Sequence, residues 1–171
     1  VGTWEWNVQT GAVVFNSRWA EMIGYRLAEL EPISINTWMS FVHPDDLKVS
    51  GELLEKHFAG EQPFYECEAR MRHKNGHWVW VLDRGRVASR TEDGKPLLIS
   101  GTHQDITERK EAEQRLRESE LVLRTSIDAI GEAFVIFDPE DRLIFCNEKY
   151  REVYPSVAEI IRPGTTFEKI A

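Results

Sequence analysis

Residues 64–87, FYECEARMRHKNGHWVWVLDRGRV, leave this chain few options. Tyr65, Cys67, Ala69 and Met71 alternate with Glu66, Glu68, Arg70 and Arg72. A period of two gives a strand one apolar and one charged face, and no helix can carry it. KNGH supplies an Asn-Gly turn, and the return strand carries Trp78, Trp80 and Leu82. A second turn, EDGKP at 92–96, leads into a third strand at 97–106. Three antiparallel strands in succession need a cover on their apolar face.

Upstream, TWEWNV (3–8) and AVVFN (12–16) flank a Gln-Thr-Gly turn and read as a hairpin. Ser17 is placed as the cap of a short helix that presents Trp19, Met22 and Ile23 and stops at Gly24. Residues 43–60 carry the signals of a longer helix. Pro44 suits the first position, Asp45 and Asp46 meet the positive end of the dipole, Leu47, Leu54 and Phe58 form a stripe, and Gly60 ends it. Strands, then helices, then strands predict an α+β fold with helices on one face of an antiparallel sheet.

A net charge of -8 argues against nucleic acid or an anionic membrane surface as a partner, because phosphate contacts need clustered Lys and Arg. Two cysteines, Cys67 and Cys146, are too few for a disulfide framework and read as free thiols in a reducing cytoplasm. The six tryptophans all lie at or before Trp80, which marks the first part of the chain as a separate unit. The expected division is a domain at 1–106, a helix at 107–130 and a further segment at 131–171.

Between Thr107 and Ile130 there is no Gly or Pro. Ala112, Leu116, Ser119, Leu123, Ser126 and Ile130 recur at alternating spacings of four and three, a heptad seam that predicts a parallel homodimeric coiled coil, the alternative being a solvated connector helix. Pairs such as Glu111–Arg115 stand at i,i+4 in the favourable order, worth about 0.4 kcal/mol each. Asp105-Ile106-Thr107 is all that joins strand to helix. Asp105 is read as a helix cap with Glu108 completing the box, and Ile106 as part of the sheet, so the joint is expected to be stiff and to carry signal.

Residues 6–22, WNVQTGAVVFNSRWAEM, align without a gap on residues 137–153, FDPEDRLIFCNEKYREV, at an offset of 131. Asn16 meets Asn147, Trp19 meets Tyr150 and Glu21 meets Glu152. A second copy of the hairpin-plus-helix start is expected, without an equivalent of the three-stranded half. Such a piece is expected to be poorly ordered, packed on the first domain or completed by a partner chain.

GTWEWNVQTGAVVFNSRWAEMIGY, FVHPDD, RHKNGHWVWVLDRGRV and GTHQDITERKEAE together resemble a PAS sensor domain with its C-terminal PAC motif, of the Trp-rich variety. GEAFVIFDPEDRLIFCNEKYREVYP with RPGTTFEKI resembles the start of a second PAS domain. The resemblance implies a five-stranded antiparallel sheet in the order 2-1-5-4-3, helices over one face and a long linker helix. It also implies a dimeric sensory module of a bacterial signalling protein, acting through the DIT-linked helix on an output domain in the same chain. Such outputs are commonly histidine kinases or cyclic-di-GMP synthases and hydrolases.

The fragment itself is not expected to be an enzyme. It has no His after His103 to accept a phosphoryl group, no GGDEF-type motif and no Gly-rich phosphate loop. No metal or cofactor is predicted. His57 lies where haem-binding relatives place their ligand, but its surroundings read as an ordinary helix end. Flavin-binding relatives carry a reactive Cys on the helical side, and Cys67 is on a strand. Phe15, Trp19, Trp38, Phe41, Tyr65, Cys67, Met71 and Trp80 are the candidate lining of a pocket for an unknown small molecule, and they suit a filled core equally well. Two rivals to the ligand sensor follow: a ligand-free protein–protein scaffold and a haem or flavin sensor.

Overall fold

The computed structural model describes residues 1–170. The chain divides into one unit at Val1–Glu111 and a second from Ala112 onward. In the first unit β1 (Gly2–Asn7) and β2 (Val13–Phe15) form the expected hairpin, followed by α1 (Ser17–Met22), a 3-10 turn at Leu27–Leu30, α2 (Ile35–Phe41) and α3 (Pro44–Phe58). Then come β3 (Tyr65–Arg72), β4 (Trp78–Arg90) and β5 (Pro96–Asp105). The sheet order is β2-β1-β5-β4-β3, antiparallel throughout, as expected. The first strand is central because β5 returns alongside it, pairing Gly2 with His103 and Asn7 with Leu98.

The Ser17 cap is corrected to Asn16. Its Oδ1 accepts the amides of Trp19 and of Thr3, both at 3.0 Å, so one side chain starts α1 and ties it to β1. Gly24 does end the helix, in a left-handed conformation (φ 78°) that lets the Tyr25 amide reach back to the Ala20 carbonyl at 3.0 Å. The HPDD stretch is a clamp. His43 Nδ1 accepts the Asp45 amide at 3.2 Å, and Asp46 takes the Arg70 backbone amide and two of its guanidinium hydrogens, all at 2.8 Å. That fork holds the Asp46 carboxyl below its ordinary value and locks α3 onto β3.

The β3–β4 turn fixes the faces of β4. His73 and His77 close a three-residue loop in which Gly76 takes the left-handed position (φ 89°). The resulting register sets Met71 opposite Val79, Ala69 opposite Val81 and Cys67 opposite Asp83. Residues directly opposite share a face, so the inward series of β4 is Val79, Val81, Asp83 and Gly85. Trp78, Trp80 and Leu82 face the other way, which corrects the inward placement of Trp80 as a pocket residue. The core face buries Trp19, Ile23, Tyr65, Met71, Val81 and Ile99, each contributing about 2 kcal/mol, under α1, α2 and α3.

α4 (Thr107–Asp128) leaves the sheet after one residue and ends two residues short of the predicted helix. No α4 residue is buried. In the second unit β6 (Val135–Phe137) pairs with β7 (Leu143–Cys146) and leads to α5 (Glu148–Val153), a 3-10 turn at Pro155–Ile160 and α6 (Phe167–Ile170). The offset of 131 holds in three dimensions: Val135 opposes Cys146 as Trp4 opposes Phe15. Asn147 repeats Asn16, taking the amides of Tyr150 and Phe134 at 3.0 and 2.8 Å. A bulge between Ile136 and Phe137 is where the two hairpins part. This unit has a small core of its own, with Leu143, Cys146, Tyr150, Ile161 and Ile170.

Candidate functional site: a cavity beside a buried polar chain

Between sheet and helices of the first unit lies a cavity of about 320 Å³. β1 and β2 supply Trp4, Trp6, Val13 and Phe15; α2 supplies Ile35, Trp38 and Met39; α3 supplies Leu47, Ser50, Gly51 and Leu54; the remaining strands supply Tyr65, Asp83 and His103. Of the predicted lining, Phe15, Trp38 and Tyr65 are brought together here. Trp19, Cys67 and Met71 are buried in the surrounding core, and Phe41 packs on Tyr25 with ring centroids 5.3 Å apart. Trp80 is on the opposite face of the sheet, because the β3–β4 register places it there.

Sequence reasoning missed the polar part of the wall. Asp83 and His103 are directly paired across β4 and β5 and are 5% and 2% exposed. His103 Nε2 stands 2.9 Å from Asp83 Oδ1. Trp4 Nε1 donates to the same oxygen at 2.9 Å, and the Tyr65 hydroxyl donates to Asp83 Oδ2 at 3.2 Å. Ser50 Oγ lies 2.8 Å from the Tyr65 oxygen, and Trp19 Nε1 donates to His103 Nδ1 at 2.7 Å. Six residues from α1, α3, β1, β3, β4 and β5 thus form one chain. Burial, and then the Asp83 charge, push the Tyr65 hydroxyl well above its ordinary value; the same two causes lift the Cys67 thiol to about 11. Both groups stay protonated at neutral pH, so Cys67 is no nucleophile.

His57 is not disposed as a haem ligand. Its Nε2 accepts the Val87 amide at 3.1 Å and its Nδ1 bonds the Gln62 carbonyl at 2.9 Å, so both ring nitrogens are committed to backbone. His73 and His77 stack with centroids 4.2 Å apart, and among the described residues no cluster of three or more metal-ligating side chains forms.

The strand-to-helix joint is bonded in both directions. The Ile106 amide donates to the Trp80 carbonyl at 2.9 Å, and the Trp80 amide donates to the Thr107 hydroxyl at 3.0 Å. Ile106 is buried, and Asp105 Oδ1 accepts the Thr107 amide at 2.9 Å. Because the Lys110 amide returns to the Ile106 carbonyl, Ile106 holds the cap position and Asp105 stands one residue before it, which shifts the predicted Asp105–Glu108 box out of register. Glu68 on β3 pairs with Arg109 at 2.6 Å and with Lys110. The Lys110 ammonium and the Arg70 guanidinium lie over the Trp80 ring at 5.0 and 5.5 Å. Along α4, Ala112, Leu116, Ser119, Leu123 and Ser126 are all exposed, as is Ile130 just past its end; Leu116 and Leu123 are 62% and 60% exposed.

A sheet ordered β2-β1-β5-β4-β3 that holds helices and a cavity on one face is the architecture of a PAS module. The chain belongs to the PAS family: a model described as PAS fold matches residues 12–103, more than half of the chain, and one described as PAS domain matches residues 122–168. The Non-motile and phage-resistance protein of Caulobacter vibrioides is 34% identical over half of this chain, and "Probable diguanylate cyclase DgcE" of Escherichia coli 25% over 86% of it. The chain spans only 10% and 13% of those two proteins. A solved sensory box histidine kinase/response regulator of Burkholderia thailandensis superimposes with a TM-score of 0.63 at 31% identity, covering 72% of this chain and 90% of the solved one. PAS domains of this kind sit beside output domains in kinase and cyclase relatives. Among the described residues no helix is long and apolar enough to cross a membrane.

Proposed function

We propose that this chain is the sensing and dimerisation module of a cytoplasmic bacterial signal-transduction protein. A small molecule in the cavity shifts the sheet, the joint at Asp105, Ile106 and Thr107 passes the shift to α4, and α4 carries it to a histidine kinase or cyclic-di-GMP output. The observation that carries this reading is the continuity of the polar chain with the joint. His103 stands in the cavity wall two residues before Asp105, on the strand that runs into α4. A movement of the wall therefore has only a short, doubly hydrogen-bonded path to the helix. The cavity favours ligand sensing over a filled-core scaffold.

The partner at α4 is a second copy of the chain. A helix with no buried residue and with Leu116 and Leu123 exposed at one heptad position gains most from a like helix in the same register. Leu116→Asp is expected to shift the dimer toward monomer by at least tenfold in dissociation constant, as buried charge would at a seam. Light scattering over a concentration series reads this, and an unchanged dimer removes Leu116 from the seam. Asp105→Ala is expected to leave the fold intact and to lose ligand-dependent output in a chain carrying its output domain. Normal regulation in that assay rejects the coupling role.

A further inference from the structure

We infer that the cavity takes an organic ammonium ion, a protonated amine on an apolar body. This rests on the ligand-site reading above and names the chemistry of that site. Its basis is a count of protons around Asp83. An indole N–H only donates, so Trp19 fixes His103 Nδ1 as an acceptor at 2.7 Å. The single ring proton of His103 then sits on Nε2 and goes to Asp83 Oδ1 at 2.9 Å. A second proton on Nδ1 would face the Trp19 N–H directly, so the imidazole is neutral and the pair is a hydrogen bond, not an ion pair. Trp4 and Tyr65 bring two further donors to the carboxylate. With its proton committed to Asp83, the Tyr65 oxygen is left to accept from Ser50.

Asp83 thus carries its charge among neutral donors, and neither Lys nor Arg lines the cavity. The spare hydrogen-bonding capacity of this chain is acceptor capacity, on Asp83 Oδ2 and Ser50 Oγ. Trp4, Trp38 and Phe15 bring aromatic rings to the same wall, and ring faces attract cations. A carboxylate ligand would meet a like charge, and a hydrocarbon would leave the charge unanswered. An ammonium group answers both the carboxylate and the rings, and the desolvation of Asp83 has already been incurred on folding. Trp6 Nε1, the buried side-chain polar atom without a partner among the described residues, adds one idle donor, which an ether or hydroxyl oxygen on the ligand body would satisfy.

The test is calorimetric titration of the 171-residue chain with three probes of one shape: 2-phenylethylammonium, 2-phenylethanol and phenylacetate. The ammonium is expected to bind about tenfold or more tighter than the alcohol, with no measurable binding of the carboxylate. Asp83→Asn, which keeps the volume and removes the charge, is expected to erase that preference by bringing the ammonium down to the alcohol's affinity or below it. The wild-type series stands by itself if the variant does not fold. Equal binding of alcohol and ammonium overturns the cation assignment and leaves the ligand site standing. Binding of none of the three overturns both.

Discussion

Gly101→Ala is expected to cost the first unit about 4 kcal/mol and to lower its melting temperature by on the order of 15 °C. Gly101 lies on β5, paired with Trp4 on one side and Gly85 on the other. The Trp4 ring lies across both glycines. A Cβ at Gly101 would come within 2.1 Å of the Arg84 carbonyl oxygen and 2.4 Å of the Trp4 ring; at Gly85 it would come within 2.5 Å of the same ring. The carbonyl belongs to β4 and cannot swing aside, so either the strands part or the indole leaves. If the indole leaves, the Trp4–Asp83 hydrogen bond goes with it, and a buried carboxylate loses a donor. Thermal unfolding followed by near-ultraviolet circular dichroism reads both events. A variant that melts within two or so degrees of the parent, with its tryptophan signal unchanged, would show that the ring does not rest on Gly101.

Asn147→Ala is expected to destabilise the second unit by about 3 kcal/mol while the first unit melts as before. Asn147 is fully buried and uses every hydrogen-bonding valence of its amide. Oδ1 accepts the Phe134 and Tyr150 amides at 2.8 and 3.0 Å; Nδ2 donates to the Glu132 and Ile127 carbonyls at 2.9 and 3.3 Å. One side chain thus joins the end of α4, the approach to β6 and the start of α5. Alanine would remove all four bonds around a core of only a few side chains; the Tyr150 amide and the Ile127 carbonyl keep a weaker backbone partner at 3.2 Å, in the Asn147 carbonyl and the Ile130 amide. Hydrogen exchange gives the reading: the Phe134 amide should lose most of its protection, and the Tyr150 amide, which keeps the Asn147 carbonyl, less of it. Retained protection at Phe134 would mean that the hairpin and helix hold together without this link.

The strands of the sheet and the repeat at 131 are legible in the residues because they rest on simple periodicities, whereas the strand order is what the resemblance to PAS domains implies. The alternation of residues 65–72 has one apolar parity, and that parity faces the core. β4 is different: both of its parities are apolar, Val79 and Val81 on one side and Trp78, Trp80 and Leu82 on the other. The size of Trp80 favours an inward reading of that residue, although a one-residue change of loop geometry decides the matter. The turn at Gly76 decided it for the valines. The same error hid the site. Asp83 shares its parity with Val79 and Val81, so an inward reading of those two would have carried Asp83 inward, opposite His103. Charged side chains are seldom buried singly, and only the convergence of Trp4, Tyr65 and His103 makes this one tolerable. That convergence joins strands far apart in sequence, so no local pattern announces it. The Asn16 cap was lost to Ser17 for the opposite reason, two good capping residues standing side by side.

Trp80 has a consequence of its own. The two cations over its ring come from different places, Arg70 from the neighbouring strand and Lys110 from the first turns of α4. Lifting the helix would strip one cation and leave the other, changing the electric field across an indole that is itself only half-buried. The protein therefore contains a native optical gauge at the root of its helix. The emission of this residue, taken as the difference between the chain and its Trp80→Phe variant, would follow the docking of α4 in solution without any attached dye.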